Sequence, residues 1–302
     1  MKYRILHTSR YLSSEPISVG HNEAWLTPRL SPSQTPLSHV LTIQPEPSIR
    51  SERTDYFGNL VSQFSFNQGY QSLTVTAVNE VEVRVPTRSS AFDAPWESVA
   101  AALRAHHTLD DLAAYQFAFE SPRCRIRQEF QDYARVSFTP GRPVLEAATH
   151  LMGRIHEEFR YDTQATNVMT GVELVFKQKR GVCQDFSHLM ISMLRSLGLA
   201  ASYVSGYLRT IAPAGRPRLV GSDASHAWVS VYCGPLGWVD LDPTNDKLTD
   251  LDHITLARGR DYGDVTPLKG VYIGGGKHEL RVSVDVSEIA EEKTTTDGTG
   301  VA

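Results

Sequence analysis

Apolar and polar residues alternate with a period of two through much of residues 3–85, most cleanly in LTVTAV (73–78) and VEVRV (81–85). That period places one face of each segment in a core and predicts strands. Pro, Gly and Asn break the runs, and Asp55-Tyr56-Phe57-Gly58-Asn59 reads as a turn because Gly and Asn tolerate positive φ. After Pro86 the period lengthens to that of a helix over 96–103, 109–119 and 126–133. A stronger helix follows Pro143, with Val144, Ala148, Leu151, Met152, Ile155 and Phe159 on one stripe. The strongest runs from 183 to 197, where Phe186, Leu189, Met190, Met193, Leu194 and Leu197 share a face and Gly198 ends it.

Strand patterns return in ASYVSGYL, SHAWVSVYC and GWVDL between 201 and 241, and once more in HELRVSVDV (278–286). Helices followed by antiparallel strands specify an α+β fold and exclude a doubly wound sheet. The chain divides into an N-terminal β module over 1–90, of sandwich or barrel type, a helical connecting region over 91–140 and an α+β domain over 141–268. A C-terminal strand over 269–287 is expected to pack on the N-terminal module, and a polar tail over 288–302 to be disordered. No internal repeat is present.

Composition agrees with a globular chain: of 302 residues, 41% are hydrophobic and 21% charged. The net charge of −4 comes from 30 basic and 34 acidic residues without a basic stripe, so no nucleic-acid partner is expected. No apolar window is long enough for a bilayer, and the first residues, MKYRILHTSRY, lack the apolar core of a secretory signal, which points to a cytoplasmic protein without a membrane partner. Cys124, Cys183 and Cys233 are odd in number and show no CxxC spacing, which suits free thiols in a reducing compartment.

One of these thiols is placed for chemistry. Cys183 opens the strongest helix, where unpaired N–H groups and the macrodipole stabilise a thiolate, and Gly181 lets the chain turn sharply into it. A buried structural cysteine would also fit that position. A nucleophilic thiol further needs a base and a group to orient the base. His226 opens the strand SHAWVSVYC, and Asp240 and Asp242 lie in the next one. If Tyr232 pairs with Trp238 across the five-residue loop, His226 stands opposite Thr244 and Asp242 becomes its diagonal neighbour on the same face, at roughly 7 Å between Cβ atoms. A loop one residue longer or shorter would put them on opposite faces.

Gly181-Val182-Cys183-Gln184-Asp185-Phe186-Ser187-His188, Ser225-His226-Ala227-Trp228-Val229, and Gly237-Trp238 with Asp242-Pro243-Thr244 together resemble the three motifs of the transglutaminase-like superfamily, a branch of the papain-like fold. Residues 1–85, Gly259-Arg260-Asp261-Tyr262-Gly263-Asp264-Val265 and the last strand resemble the flanking segments of its bacterial members. Ser187, where many relatives have Ala, and Gly69-Tyr70, where a His-containing turn is common, depart from the pattern outside the three motif residues. The resemblance implies a papain-like catalytic core, a Cys183–His226–Asp242 triad and acyl transfer through a thioester, with Asp240 a poorer match than Asp242. It also implies an oxyanion site formed by the Cys183 N–H and the side chain of Gln178, which a solvated Gln between Lys177 and Lys179 would not supply.

Asp185 and His188 are expected to support the site, and Asp223, Ser225, Trp228, Arg260 and Tyr262 to be substrate contacts or, for Asp223 and Ser225, turn caps. The expected substrate is a peptide or protein amide, cleaved by hydrolysis, with transfer to an amine as the alternative and a non-catalytic peptide-binding scaffold as the reading from another class. No cofactor is called for. His106-His107 and His156-Glu157 lack metal-site spacing, and Gly274-Gly275-Gly276 reads as a loop after strand-poor sequence, with no phosphate-binding helix behind it.

Overall fold

The structure, a computed structural model, describes residues 1–85, 93–210 and 224–290. Its first strand, β1 (Lys2–Ala24), is the spine of the N-terminal module. Tyr3, Ile5, His7 and Ser9 are buried at every second position, the period the sequence predicts for a half-buried strand. β2 (Gln34–Gln44), β3 (Ile49–Thr54), β4 (Leu60–Phe66) and β5 (Tyr70–Val83) join β1 in the order β2-β5-β1-β4-β3. The module is thus one curled antiparallel sheet, the open-barrel form of the expected alternatives.

β1 is longer than the sequence pattern suggested because different partners take its two halves. Residues 2–12 pair with β5 and the far half with β4, and the register slips between Leu12 and Ile17, where Pro16 cannot donate to a ladder. The turn at Asp55–Asn59 forms, with the Asp55 carboxylate accepting from the N–H groups of Phe57 and Asn59 at 2.9 and 2.8 Å.

The connecting segment supplies α1 (Trp96–Ala105), α2 (Leu109–Tyr115) and α3 (Gln128–Arg135). α4 (Val144–Glu158) follows, with Pro143 at its N-cap rather than inside the first turn. β6 (Arg160–Tyr161) and β7 (Arg180–Gly181) form a small parallel ladder on either side of α5 (Val172–Gln178), a short helix the periodicity did not disclose. α6 (Cys183–Ser196) then runs through the core, every side chain from Asp185 to Ser196 buried, against α3, α4 and α5 on one side and a sheet on the other.

That sheet contains β8 (Ala201–Leu208), β9 (Ala224–Tyr232), β10 (Trp238–Asp242), β11 (Lys247–Leu248) and β12 (His253–Gly259), in the order β11-β10-β9-β8-β12 and antiparallel throughout. A side chain at Gly206 of β8 would run into the Ile254 carbonyl at 2.2 Å and the Trp228 ring at 2.4 Å, so glycine is what lets Trp228 lie flat against the sheet. Among the described residues no helix is long and apolar enough to cross a membrane.

The chain returns to the first module at its end. β13 (Leu268–Gly274) pairs with the far half of β1, and β14 (His278–Glu288) with its first half, from Tyr3 opposite Glu288 to Ser13 opposite His278. The glycine run therefore follows a strand, correcting the strand-poor reading of that segment, and residues 275–277 make the β13–β14 turn. Ordered pairing also extends past 288, with the Ile289 N–H donating to the Lys2 carbonyl at 2.9 Å; residues 291–302 of the expected tail lie outside the described residues.

Two buried amide side chains fasten the module to the second sheet. Gln34 donates to the Thr255 carbonyl (2.7 Å) and accepts from its N–H (2.8 Å), and Asn59 makes the same pair of bonds with Arg258 (2.8 and 2.9 Å). Each amide thus completes the hydrogen bonding of a β12 residue as a neighbouring strand would.

Candidate active site

Cys183 is the first residue of α6, and its N–H, like those of any first helical turn, has no acceptor within the helix. The turn into the helix is fixed by Asp185, whose carboxylate accepts from the Val182 N–H at 2.9 Å and from the Thr166 hydroxyl at 2.6 Å. Burial pushes the Asp185 carboxyl up, partly offset by those two bonds. A Cβ at Gly181 would lie 2.8 Å from both Asp185 Cβ and Oδ2, so only glycine leaves room for this capping carboxylate. Cys183 is partly exposed, whereas Cys124 and Cys233 are buried and burial pushes the Cys124 thiol up to about 12.

The ladder between β9 and β10 has Tyr232 opposite Trp238, the register on which the sequence argument depended. It brings Asp242 Oδ2 within 2.7 Å of His226 Nε2. His226 and the Cys183 thiol line the same cavity, and the interaction between them is one of the causes that raise the His226 pKa. With Nε2 engaged by the carboxylate, Nδ1 is the ring nitrogen left to serve the thiol.

Electrostatics favour an imidazolium at His226. Burial opposes the charge on His226, but the hydrogen bonds and Coulomb attraction of Asp242 and Cys183 outweigh it, raising the pKa to about 10. Burial likewise works against a charged Asp242, yet its bonds to His226, His253 and Asn245 hold the carboxyl well below the usual range. Asp242 Oδ1 accepts from the N–H groups of Thr244 (3.0 Å) and Asn245 (3.3 Å), and Oδ2 from the Asn245 amide (2.7 Å).

His253 is the residue that sequence reasoning missed. It is buried, with Nε2 3.1 Å from Asp242 Oδ2 and Nδ1 2.9 Å from Asp250 Oδ1, which makes a chain of contacts His226–Asp242–His253–Asp250. No spacing rule joins positions 242 and 253; β12 delivers the imidazole. The ligand atoms of His226, Asp242 and His253 lie within 4.8 Å of one another, near enough for a cation. Both imidazoles nevertheless engage the same carboxylate oxygen directly, an arrangement complete without an ion.

The other sequence candidates separate into three groups. Ser225 and Tyr262 line the cavity above the thiol. His188 is buried beneath it, accepting from the Tyr262 N–H at 3.1 Å and lying 4.9 Å from the Tyr203 ring, and burial pushes its pKa well below the usual histidine value. It anchors the turn carrying Tyr262 as a neutral acceptor. Asp240 does not compete with Asp242, because Ser230, Trp228 and Arg258 engage it.

Three expectations fail. Trp228 is fully buried under the His226 and His253 rings with its indole N–H on Asp240, and so offers no surface to a substrate. Arg260 forms a two-pronged ion pair with Asp264 at 2.9 Å outside the cavity. Gln178 is exposed on the last turn of α5 and does not line the cavity, and the four residues between it and Cys183 include the strand β7. Asp223 lies outside the described residues.

The cavity itself measures about 520 Å³ and opens between the two sheets, with His7, Ser9 and Tyr11 of β1 and Leu280, Val282 and Val284 of β14 facing Cys183, Gln184 and His226. No sequence pattern could place this wall, since it depends on how the two modules dock.

Comparison with known proteins agrees with the fold. Residues 132–243 match the family model of the transglutaminase-like superfamily, and residues 3–82 that of the bacterial transglutaminase-like N-terminal region. An uncharacterized protein of Mycobacterium bovis is 40% identical over 295 residues, covering 94% of this chain and 92% of its own. Another from Mycobacterium leprae is 34% identical, covering 96% and 99%. A Pseudomonas aeruginosa protein-glutamine gamma-glutamyltransferase is 34% identical over 92 residues, 30% of this chain and 14% of its own. The crystal structure of a candidate cysteine protease from Cytophaga hutchinsonii superposes with a TM-score of 0.72 at 19% identity, covering 97% of this chain and 92% of that one.

Proposed function

This chain belongs to the transglutaminase-like superfamily, and we propose that it is a thiol-dependent acyl-transfer enzyme that hydrolyses peptide or isopeptide amides. The observation that carries this reading is a partly exposed Cys183 thiol at a helix start that shares a cavity with His226, itself bonded to a buried Asp242 with several donors.

In the proposed reaction Cys183 sulfur attacks the amide carbonyl carbon, and the developing oxyanion takes a hydrogen bond from the Cys183 N–H at the helix start. The C–N bond breaks as the His226 imidazolium gives its proton to the leaving amine, which leaves a thioester. Water then attacks the thioester carbon, its proton passes to His226, and the carboxylic acid is released with the thiol restored. Asp242 holds the imidazole in the orientation and tautomer that both steps need.

An amine in place of water would turn the same intermediate into a transamidation, the reaction named for the Pseudomonas relative. Incubating the protein with a fluorogenic peptide-amide library, with and without a millimolar primary amine, tests both. Release of free acid that disappears in Cys183→Ala supports the hydrolase; an amide adduct in preference to the acid supports transfer. No turnover in either arm contradicts an acyl-transfer role.

A further inference from the structure

Three rungs of the β1–β14 ladder face the thiol: His7 opposite Val284, Ser9 opposite Val282 and Tyr11 opposite Leu280. A period of two along both strands puts all six side chains on one face, so one wall of the cavity is built wholly by the N-terminal module and the strand that returns to it. Leu280 and Val282 are 51% and 50% exposed there, unusual for apolar residues inside a concave site.

Beyond the last rung the cavity adjoins another. A second hollow of about 250 Å³ lies within the curled sheet, sharing Tyr11, Leu268 and Leu280 with the first and bounded further in by Tyr70, Leu73 and Tyr272. Its size is that of a large side chain rather than of a separate ligand. Among the described residues, neither hollow is lined by a carboxylate or an arginine. The amine of Lys269, on the rim of the inner one, is drawn away by Glu23 at 3.5 Å and the face of Trp25 at 4.2 Å. His7 is bonded to the Tyr207 and Ser9 hydroxyls at 2.8 Å each, and burial lowers its pKa to about 4, so this wall is uncharged at neutral pH.

We propose that the curled sheet is the acyl-donor subsite: it selects an uncharged amide whose apolar, preferably aromatic, side chain next to the scissile carbonyl passes the Tyr11–Leu280 rung into the inner hollow. The inference rests on the acyl-transfer reading for the position of the carbonyl. A charged side chain entering the inner hollow would lose its hydration, and Lys269 at the rim is already engaged by Glu23. The hydrogen bonds from the Gln34 and Asn59 side-chain amides to β12 tie this module to the sheet that carries His226.

Binding to the full-length Cys183→Ala protein tests the subsite without requiring chemistry. N-acetyl-phenylalaninamide and N-acetyl-aspartic acid α-amide, whose β-carboxylate is free, are titrated separately, and amide and methyl chemical shifts are followed by NMR. The expected result is at least tenfold tighter binding of the phenylalanine probe, with shifts at Leu280 and Tyr272, and at least a tenfold loss in Leu280→Glu. Val282→Glu, at a second half-exposed position, guards against a folding defect peculiar to the first variant and should weaken the same probe. Equal binding of the two probes, no binding, shifts elsewhere, or full affinity in both Glu variants would overturn the proposal. Selective aromatic binding without turnover of any amide by the wild type would uphold the subsite and sink the reaction; turnover without side-chain preference in binding would do the reverse.

Discussion

Asp242→Asn is the substitution with the most to say about how the site works. It keeps the shape of the side chain but removes the charge that His226, His253 and Asn245 surround. A rise of the His226 pKa from 6.5 to about 10 corresponds to roughly 5 kcal/mol in favour of the imidazolium, at about 1.4 kcal/mol per tenfold. Burial opposes that charge and Asp242 is the first contributor in its favour, so with Asn at 242 the imidazole should titrate at least a hundredfold more easily. Its pKa should fall below about 8. An Asn amide can also present N–H to Nε2, which selects the wrong tautomer, and a loss of roughly 10³- to 10⁴-fold in kcat is expected by analogy with other triads. Long-range ¹⁵N NMR of labelled histidine reads the first quantity and the rate of amide release the second. A His226 that still titrates near 10 in Asp242→Asn, or a rate loss under tenfold, would refute the electrostatic account of this pair.

The same shifts set the pH dependence of stability. His226 is raised, so its contribution is complete below about 6.5 and declines as pH climbs toward about 10; Asp242 is lowered, so its contribution is present above about 3.8 and lost as pH falls below that. The difference in Tm between wild type and Asp242→Asn should therefore be greatest between about pH 4 and 6.5 and shrink on either side; a flat difference measured by calorimetry would count against it. His253→Leu removes a buried hydrogen bond to a carboxylate, roughly 1.5–3 kcal/mol, and should lower kcat by about tenfold to a hundredfold with KM little changed, whereas His253→Gln should recover part of the loss. Gly181→Ala should displace Asp185 from the Val182 N–H and cost about 1–3 kcal/mol in denaturant unfolding. In the native protein iodoacetamide should label Cys183 before the buried Cys124 and Cys233, as peptide mapping by mass spectrometry would report.

What the sequence disclosed were the features governed by local period and short loops. The apolar stripe from Phe186 to Leu197 identified α6 because burial of one face imposes the helical repeat. The five residues between Tyr232 and Trp238 set a register that leaves no choice of face for His226 and Asp242. Features that depend on distant partners stayed hidden. β1 is interrupted in sequence by Ser13, Ser14, Glu15 and Pro16, yet stays one strand because β4, β5, β13 and β14 pair along it. The strand expected over 269–287 is in fact two strands, β13 and β14, and the first is hard to separate in sequence because LKGVYIG has an exposed apolar face and a glycine within it. His253 reaches Asp242 only through the placement of β12, and Gln178 was assigned from its separation along the chain, which says nothing about the side on which the intervening β7 leaves it.

The central claim, that Cys183 forms a covalent acyl intermediate, is tested most directly by intact-protein and peptide mass spectrometry after acid quenching during turnover of an amide donor. The account predicts an added mass equal to the acyl group, located on Cys183 and absent from Cys183→Ala. Undiminished amide cleavage by Cys183→Ala, or an adduct located on another residue, would contradict it.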